Sequence, residues 1–264
     1  VSFFSAWWLS AGMADPLPVL AALNPASWDL PDPAFGFDAS FYVFRLPVLD
    51  RLQTMGSLVV FWVGLLATAA YVATGAIKIA ESRLTVSRLA RRHLGILLAA
   101  FLILFAVDVW LDRYGLVVDG NGFGGVLGYT DVAARLPAKI ILVVLALGTA
   151  ATVAFAAWTG YLRPALFACL LLPVALVGVE VVYPSSVQRF VVEPNQFPRE
   201  EPYIEHQLAF TRRAFGLDDI RRIEYPYEAQ AELDQQTLQE RLAGIPLWDP
   251  RPLLTTYQAQ QALF

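Results

Sequence analysis

Two acidic residues, Asp108 and Glu180, occur inside stretches that are otherwise apolar. A carboxylate at membrane depth is costly and is often functional, for example in the transport of protons or cations. Both residues stand near the same predicted end of their helices, where a side chain reaches water or pairs with Arg113. We favour this structural interpretation, with a proton- or cation-coupled path as the functional alternative.

His93 is the candidate for a cofactor ligand, because it follows two arginines at the start of an apolar stretch. Neutral imidazole binds metals, so a haem or chlorin is the functional interpretation. An interfacial basic residue is the simpler one, and the identity of any cofactor stays unknown. The only other histidine, His206, has no partner at helical spacing, so no zinc motif forms and no metal site is predicted.

Arginines and carboxylates are dense near the C-terminus. The planar guanidinium suits fixed ion pairs with carboxylates, and the acids lack the ordered spacing of a calcium loop. We therefore predict an ion-pair network there rather than a site for phosphate or a lipid headgroup. Its predicted members are Arg189, Glu201, Arg212, Asp249 and Arg251.

A catalytic constellation is not visible in the local sequence. Ser185 and Ser186 lack the glycines of a nucleophile elbow, and Cys169 stands in an apolar stretch that keeps a thiol inert. The glycine-rich segment 119–128 lacks the Lys-Ser/Thr pair of a phosphate-binding loop, which favours a tight structural loop. We therefore predict a protein that is not an enzyme.

The composition places these residues in a membrane protein. The chain has 264 residues, of which 57% are hydrophobic and 16% charged, with a mean hydropathy of +0.52. Soluble domains average about 45–50% apolar and about 25% charged residues. The net charge of −4 argues against nucleic-acid binding.

Four apolar stretches are long enough to cross a bilayer, which takes about 20 residues in a helix. They lie between Arg51 and Lys78, from Leu94 to Leu111, between Lys139 and Arg163, and from Pro164 to Tyr183. Each is apolar around its whole circumference, as lipid-embedded helices are. The sequence thus predicts an all-α integral membrane protein with four transmembrane helices.

Basic residues in the short connections predict the orientation. The first connection carries most of them and the third carries one, which places these two on the cytoplasmic side. The second connection, the N-terminus and the C-terminus then lie on the exoplasmic side. The basic residues concerned are Lys78, Arg83, Arg88, Arg91, Arg92 and Arg163.

The predicted organisation has three parts: a proline-rich exoplasmic or interfacial lead-in, residues 1–50; a four-span domain, 51–183; and a polar, mostly helical exoplasmic segment, 184–264. In the lead-in, Val1–Ala14 is expected either at the interface or as the tail of a truncated helix, and Ser40–Phe44 is a short strand or an interfacial segment. After the fourth span, a helix break is predicted at residues 183–186 and a strand over 187–192. The expected helices are Glu205–Phe215, Glu228–Leu242 and Leu253–Phe264.

A set of short motifs runs in order along the chain. The first extends from Asp32-Pro33-Ala-Phe35 through Gly36 and Asp38 to Leu46-Pro47. The others are Arg92-His93-Leu94, Gly128-Tyr129-Thr130-Asp131-Val132 with Leu136-Pro137, Tyr183-Pro184, Val187–Asn195, Glu201-Pro202-Tyr203-Ile204 with Thr211-Arg212 and Phe215-Gly216-Leu217, and Trp248–Leu254. Together these motifs resemble a bacterial family of large multispanning proteins, the uncharacterised protein family numbered 0182.

The resemblance implies a truncated, split or partly observed member of that family, since its members are several times longer, with further spans and a large exoplasmic domain. It implies no enzyme activity. We predict a structural or accessory subunit of a larger membrane assembly, with membrane lipids and other membrane-protein subunits as partners and no nucleic acid. A transporter or lipid-handling component is the alternative. The expected location is a bacterial cell membrane or internal membrane.

Overall fold

The computed structural model describes residues 16–80, 83–122, 124–217, 219–221, 223–224, 239, 242–243 and 250–261. It is mostly helical and divides into two units, Val1–Leu217 and Asp218–Phe264. In the described part of the first unit the elements are α1 (Leu17–Leu23), α2 (Leu46–Ala73), β1 (Ile77–Ala80), β2 (Arg83–Val86), α3 (Arg88–Gly115), α4 (Leu136–Thr159), α5 (Arg163–Leu176), α6 (Tyr183–Val187) and α7 (Gln196–Ala214). The described part of the second unit contains α8 (Pro250–Gln261).

Within the described residues, four helical segments are long and apolar enough to cross a membrane: Phe41–Ala73, Arg88–Gly115, Asp131–Thr159 and Arg163–Ala214. Large apolar side chains stay exposed along them, as expected for a surface that faces lipid. The prediction of four membrane-crossing helices is confirmed at this level. Examples of these exposed side chains are Phe61, Leu66, Val144, Phe155, Leu166 and Leu170.

Small residues let α3 and α4 pack closely. The buried core contains Ala99 and Ala106 of α3 beside Ala146 and Ala150 of α4. A Cβ built on Gly95 would lie 2.2 Å from the Cβ of Ala157. Membrane helices associate through such small-residue faces, because lipid offers no hydrophobic driving force between apolar helices.

A two-stranded antiparallel hairpin joins α2 to α3, so the fold is not all-α. Ile77 pairs with Val86, and Ala80 pairs with Arg83. The two strands are rich in β-branched residues, which fit an extended backbone better than a helix. The prediction treated this connection only as a charged loop, so the hairpin is a correction.

The fourth span does not break at Tyr183–Ser186, so that prediction was wrong. Pro184, near the start of α6, has no N–H to donate to the preceding turn. A π-helical turn, Val177–Val182, comes directly before α6, and its wider hydrogen-bond spacing accommodates the proline. The hydroxyls of Ser185 and Ser186 donate to the carbonyls of Val181 and Val182, at 2.6 and 2.7 Å. Side chains and local π turns thus keep the helix continuous past a proline.

The predicted strand over Val187–Val192 is also wrong. A second π-helical turn, Gln188–Val192, and a 3-10 turn, Glu193–Asn195, continue the chain to α7. Asn195 has φ −146° and ψ 52°, so the helical path is interrupted there and α7 starts anew. The predicted helix Glu205–Phe215 falls almost wholly within the longer α7.

The lead-in contains more structure than predicted. The short helix α1 replaces part of the expected irregular chain, and a single bridge pairs Pro31 with Asp38. Instead of a strand, Phe41–Arg45 forms a π-helical turn that leads into α2 through Leu46 and Pro47. The π-helical turn Asp131–Arg135 leads into α4 in the same way, through Leu136 and Pro137.

In the second unit, α8 overlaps the helix predicted at Leu253–Phe264 over the described residues 253–261. The predicted helix Glu228–Leu242 and the interfacial segment Val1–Ala14 lie essentially outside the described residues. The three-part organisation stays a prediction.

Candidate functional site

A buried lysine holds two carboxylates together at one end of the helix bundle. Lys139 of α4 donates to Asp112 of α3 and, at 2.7 Å, to Glu180 in the π turn that follows α5. The lysine side chain is only 4% exposed, whereas Asp112 is 62% and Glu180 31% exposed. Three successive membrane helices are therefore tied at one point, which we call the Lys139 triad.

The depth of this triad follows from helix geometry. From Lys139 to Thr159 at the other end of α4, the rise is about 30 Å at 1.5 Å per residue, which is the thickness of the hydrocarbon core. The triad therefore lies at one boundary of the apolar region. We call this the loop end, because the glycine-rich segment lies beside it, and the opposite end the hairpin end.

Asp108 lies close to the triad but is not part of it. Its charge interacts with those of Asp112, Lys139, Glu180 and Asp50. The expected partner, Arg113, instead lies with its guanidinium 3.3 Å from the ring centroid of Trp110. The bundle thus concentrates four carboxylates around one ammonium group.

A cleft of about 340 Å³ with a mostly apolar lining opens between α2 and α3, and Asp108 lines it. On the α3 side it is lined by Phe101, Phe105 and Asp108, which recur at helical spacing. The α2 side is lined by Gln53, Thr54, Ser57, Leu58 and Phe61. Of its polar side chains, the sequence analysis singled out Asp108 but not Gln53, Thr54 or Ser57.

Gln53 joins the two walls of this cleft. Its amide nitrogen donates to Ser57 Oγ and to the carbonyl of Leu104, both at 3.0 Å. Below this contact Gly56 packs against Leu104, whose side chain would lie 3.6 Å from an added Cβ. The back of the cleft is therefore closed by close helix packing.

The family signature in the lead-in builds a loop around two aspartates. Asp32 accepts the backbone N–H groups of Ala34, Phe35 and Phe37 and, at 2.7 Å, the hydroxyl of Tyr42. An aspartate that satisfies so many donors orders a turn that would otherwise leave buried N–H groups unpaired. The motif is explained by folding without a catalytic role.

Asp38 plays the same part for the second half of this loop. Its carboxylate accepts backbone N–H groups of Ser40, Leu30 and Trp28. Hydrogen bonds from Ser40, and then those from Leu30 and Trp28, hold the pKa of Asp38 well below its usual range.

The glycine-rich segment is a compact turn held by Asp131, which is fully buried. The Asp131 carboxylate accepts the N–H groups of Asn121 and Gly128 and pairs with Arg135 at 3.1 Å. A Cβ on Gly122 would lie 2.8 Å from the Cα of Gly128, so the backbones touch. The structural interpretation of this loop fits its geometry.

Helix α7 rests on this loop. Glu200, which is 5% exposed, accepts the N–H of Tyr129 at 3.2 Å, and Arg199 donates to the Tyr129 hydroxyl at 3.1 Å. A mainly apolar pocket of about 250 Å³ lies between α7 and the two loops. Its walls include Pro33, Leu127, Tyr203, His206 and Phe210.

His93, the weak candidate for a cofactor ligand, lies at the hairpin end. Its Nδ1 is 3.0 Å from the hydroxyl of Tyr71 on α2, and the two rings meet edge to face. Nearby, the Arg92 guanidinium lies 4.8 Å from the ring centroid of Trp158. This arrangement gives His93 a structural contact between helices, and among the described residues no group of three potential metal ligands occurs.

The predicted arginine–carboxylate network stays a prediction. Among the described residues the ion pairs join Arg135 to Asp131, and Lys139 to Asp112 and Glu180. Arg189, Glu201 and Arg212 are exposed and take part in none of these. Asp249 and the side chain of Arg251 lie outside the described part.

Sequence reasoning missed Lys139 because the lysine served only to mark the boundary of the third span. Its position two residues after Leu136-Pro137, at the start of an apolar helix, was the available signal. The polar residues of the cleft were also visible as Gln53, Thr54 and Ser57, which share one helix face in an apolar stretch.

The chain matches the model of an uncharacterised protein family, UPF0182, over residues 1–263. Similar proteins include the UPF0182 proteins of Trichodesmium erythraeum (strain IMS101), 34% identical over 92% of this chain and 27% of the relative, and of Pelobacter propionicus, 34% identical over 93% and 28%. That of Kocuria rhizophila is 35% identical over 92% of this chain and 25% of the relative. No solved structure matches significantly.

The fold and the charged loop end define the class: a helical protein with four helices suited to crossing a membrane and polar groups gathered near one boundary. Within that class, the chain belongs to the uncharacterised protein family UPF0182, as the resemblance of its motifs implied. The chain spans about a quarter of the length of the curated relatives it matches.

Proposed function

We propose that this chain is a membrane-embedded structural or accessory part of a larger membrane assembly. The observation that carries the proposal is an apolar stripe on α7 that no contact among the described residues covers. Phe197 and Leu208 lie on one face of α7 and are 68% and 57% exposed, and Phe215, which directly follows the helix, is 75% exposed. Glu200, at the edge of this face, rests on the glycine-rich loop.

Lipid does not account for this stripe, because α7 is too polar to be embedded. Its sequence contains Arg199, Glu200, Glu201, Glu205, Arg212 and Arg213. Exposed apolar side chains in a row on a polar helix mark an interaction surface. The proposed occupant is an apolar surface of another membrane-protein subunit.

The proposed orientation puts the loop end on the exoplasmic side and the hairpin end on the cytoplasmic side of a bacterial membrane. Basic residues at the hairpin end support it, since Lys/Arg-rich connections stay in the cytoplasm. They are Lys78, Arg88, Arg91, Arg92 and Arg163. The helix α7, which follows the loop end, would then dock its partner outside the cell.

The test is a paired substitution in the stripe, Phe197→Ser with Leu208→Ser, in the tagged chain expressed in its own bacterium. Loss of buried apolar area should release the partner, so the complex extracted in mild detergent should shrink on native electrophoresis. Ala209→Ser is the matched control, because Ala209 is exposed on α7 away from the stripe. A complex of unchanged size in the paired variant would contradict the docking surface.

A second candidate function is a transporter or lipid-handling component, favoured by the Lys139 triad. A buried ammonium shared by two partly exposed carboxylates can exchange partners when one carboxylate takes up a proton or a cation. The charges of Asp108 and Glu180 face the same lysine. Such a role would also require further subunits, since four spans are few for a transporter.

This alternative is tested in inverted membrane vesicles by proton or cation flux. Asp108→Asn and Glu180→Gln should each reduce flux strongly, because the path loses its titratable groups. Asp119→Asn, an exposed acid in the glycine-rich loop, is the control of equal charge change. Unchanged flux in both variants would exclude the transport candidate while leaving the accessory role standing.

A further inference from the structure

The cleft between α2 and α3 combines an aromatic wall with hydroxyl groups. The ring centroids of Phe61 and Phe101 lie 6.4 Å apart, and Phe105 extends this wall along α3. Thr54 and Ser57 line the cleft as well. Aromatic faces attract cations through their quadrupole, and hydroxyl oxygens accept hydrogen bonds from an ammonium group.

The charge of the cleft comes from Asp108. The ammonium of Lys139 is bonded to Asp112 and Glu180, which leaves Asp108 outside the triad. Among the described residues, no hydrogen bond or ion pair satisfies the Asp108 carboxylate, and its neighbour Asp50 is acidic too. Asp108 therefore presents to the cleft an exposed carboxylate that is free to accept a donor from a ligand.

Size and access restrict the ligand. The volume of about 340 Å³ is at the lower end for small-molecule sites, which run from about 300 to 1,000 Å³. Phe61 is 52% exposed on the outer surface of the bundle, so the cleft opens toward the lipid. A ligand enters from the membrane and needs an apolar part.

We propose that this cleft binds a primary ammonium group carried on an apolar tail. The ammonium donates to the Asp108 carboxylate and to the oxygens of Thr54 or Ser57, and the tail lies against Phe61 and Phe101. Removing water from the carboxylate strengthens the ion pair at this depth. The site does not depend on the accessory role proposed above, and it shares only Asp108 with the transport candidate.

The test measures binding of decylamine to the purified chain in a neutral maltoside detergent at pH 7.5, with decanol as the uncharged analogue. Asp108→Asn should weaken decylamine binding about tenfold to a hundredfold, the size of a charge-assisted hydrogen bond, and leave decanol unchanged. Asp119→Asn should change neither. Equal decylamine affinity in Asp108→Asn and the unsubstituted chain, or decanol binding as tight as decylamine, would overturn the proposal.

If the Asp108→Asn variant does not fold, a labelling measurement on the unsubstituted chain tests the same site. A hydrophobic carbodiimide labels intramembrane carboxyl groups, and mass spectrometry reports the label on Asp108. Decylamine should protect Asp108 and decanol should not, whereas equal labelling with and without decylamine would refute the site. If phosphatidylethanolamine also protects Asp108, the source of the ammonium is a lipid headgroup. If only decylamine protects it, the source is a free amine.

Discussion

Lys139 is the residue whose environment says most about the bundle. The sequence analysis placed Asp108 and Glu180 near the same end of their helices, but it singled out neither Lys139 nor Asp112. Helical periodicity places residues on faces of one helix, whereas the Lys139 triad depends on how α3, α4 and the turn after α5 approach one another. Such a contact between distant segments has no signature within a window of sequence.

Removing the partners of Lys139 should cost more stability than removing the lysine. Asp112→Asn combined with Glu180→Gln leaves a 4%-exposed ammonium unpaired, which we expect to cost about 3–5 kcal/mol. Lys139→Met leaves two partly exposed carboxylates that water can solvate, so about 1–2 kcal/mol is expected. Reversible unfolding in detergent measures both, and the opposite order would contradict the burial argument.

Asp38 should make the lead-in loop sensitive to acid. Its pKa in the folded chain lies below the ordinary value of about 3.9, so its stabilising effect is present above about pH 4 and is lost as the pH falls further. Asp38→Asn should therefore lower the melting temperature at pH 7 and have a smaller effect at pH 3. A decrease of equal size at both pH values would show that the charge does not matter.

At the scale of elements, hydropathy predicted the membrane-crossing helices and missed what connects them. Each apolar stretch overlaps one observed helical segment, but the fourth segment runs on to Ala214 instead of ending near Tyr183. Residues 183–192 were misjudged, because a proline usually ends a helix in water and the preceding π turn is invisible in composition. The hairpin between α2 and α3 was missed since its strands have only four residues each.

The close packing of α3 on α4 gives a prediction for Gly95. Gly95→Ala places a Cβ 2.2 Å from that of Ala157, so the helices must separate, at a cost of about 1–3 kcal/mol. Adding Ala157→Gly should restore most of the stability. Gly64→Ala is the control, because nothing lies within 4 Å of an added Cβ there. A Gly95→Ala variant as stable as Gly64→Ala would contradict the packing.

At the scale of the whole molecule, the orientation of the bundle can be read from cysteine labelling. In a chain with Cys169→Ala, Asp119→Cys at the loop end should react with a membrane-impermeant maleimide in intact spheroplasts. Thr85→Cys in the hairpin should react only after lysis, because the basic connection stays in the cytoplasm. The reverse pattern would invert the proposed topology.

At the same scale, the proposed docking face on α7 was out of reach of sequence reasoning. The polar segment after the fourth span was expected to need something to pack on, and α7 does rest on the glycine-rich loop through Glu200. Phe197 and Leu208 stay exposed because the glycine-rich loop packs on another part of the α7 surface. That part becomes visible only in three dimensions.

The size of the native particle tests the assembly proposal most directly. The tagged chain is extracted from its own membrane in mild detergent, and its mass is measured by light scattering after size-exclusion chromatography, with the detergent subtracted. The account predicts a particle with a protein mass well above the 29.1 kDa of one chain, containing a second polypeptide. A monodisperse monomer of 29.1 kDa would contradict it.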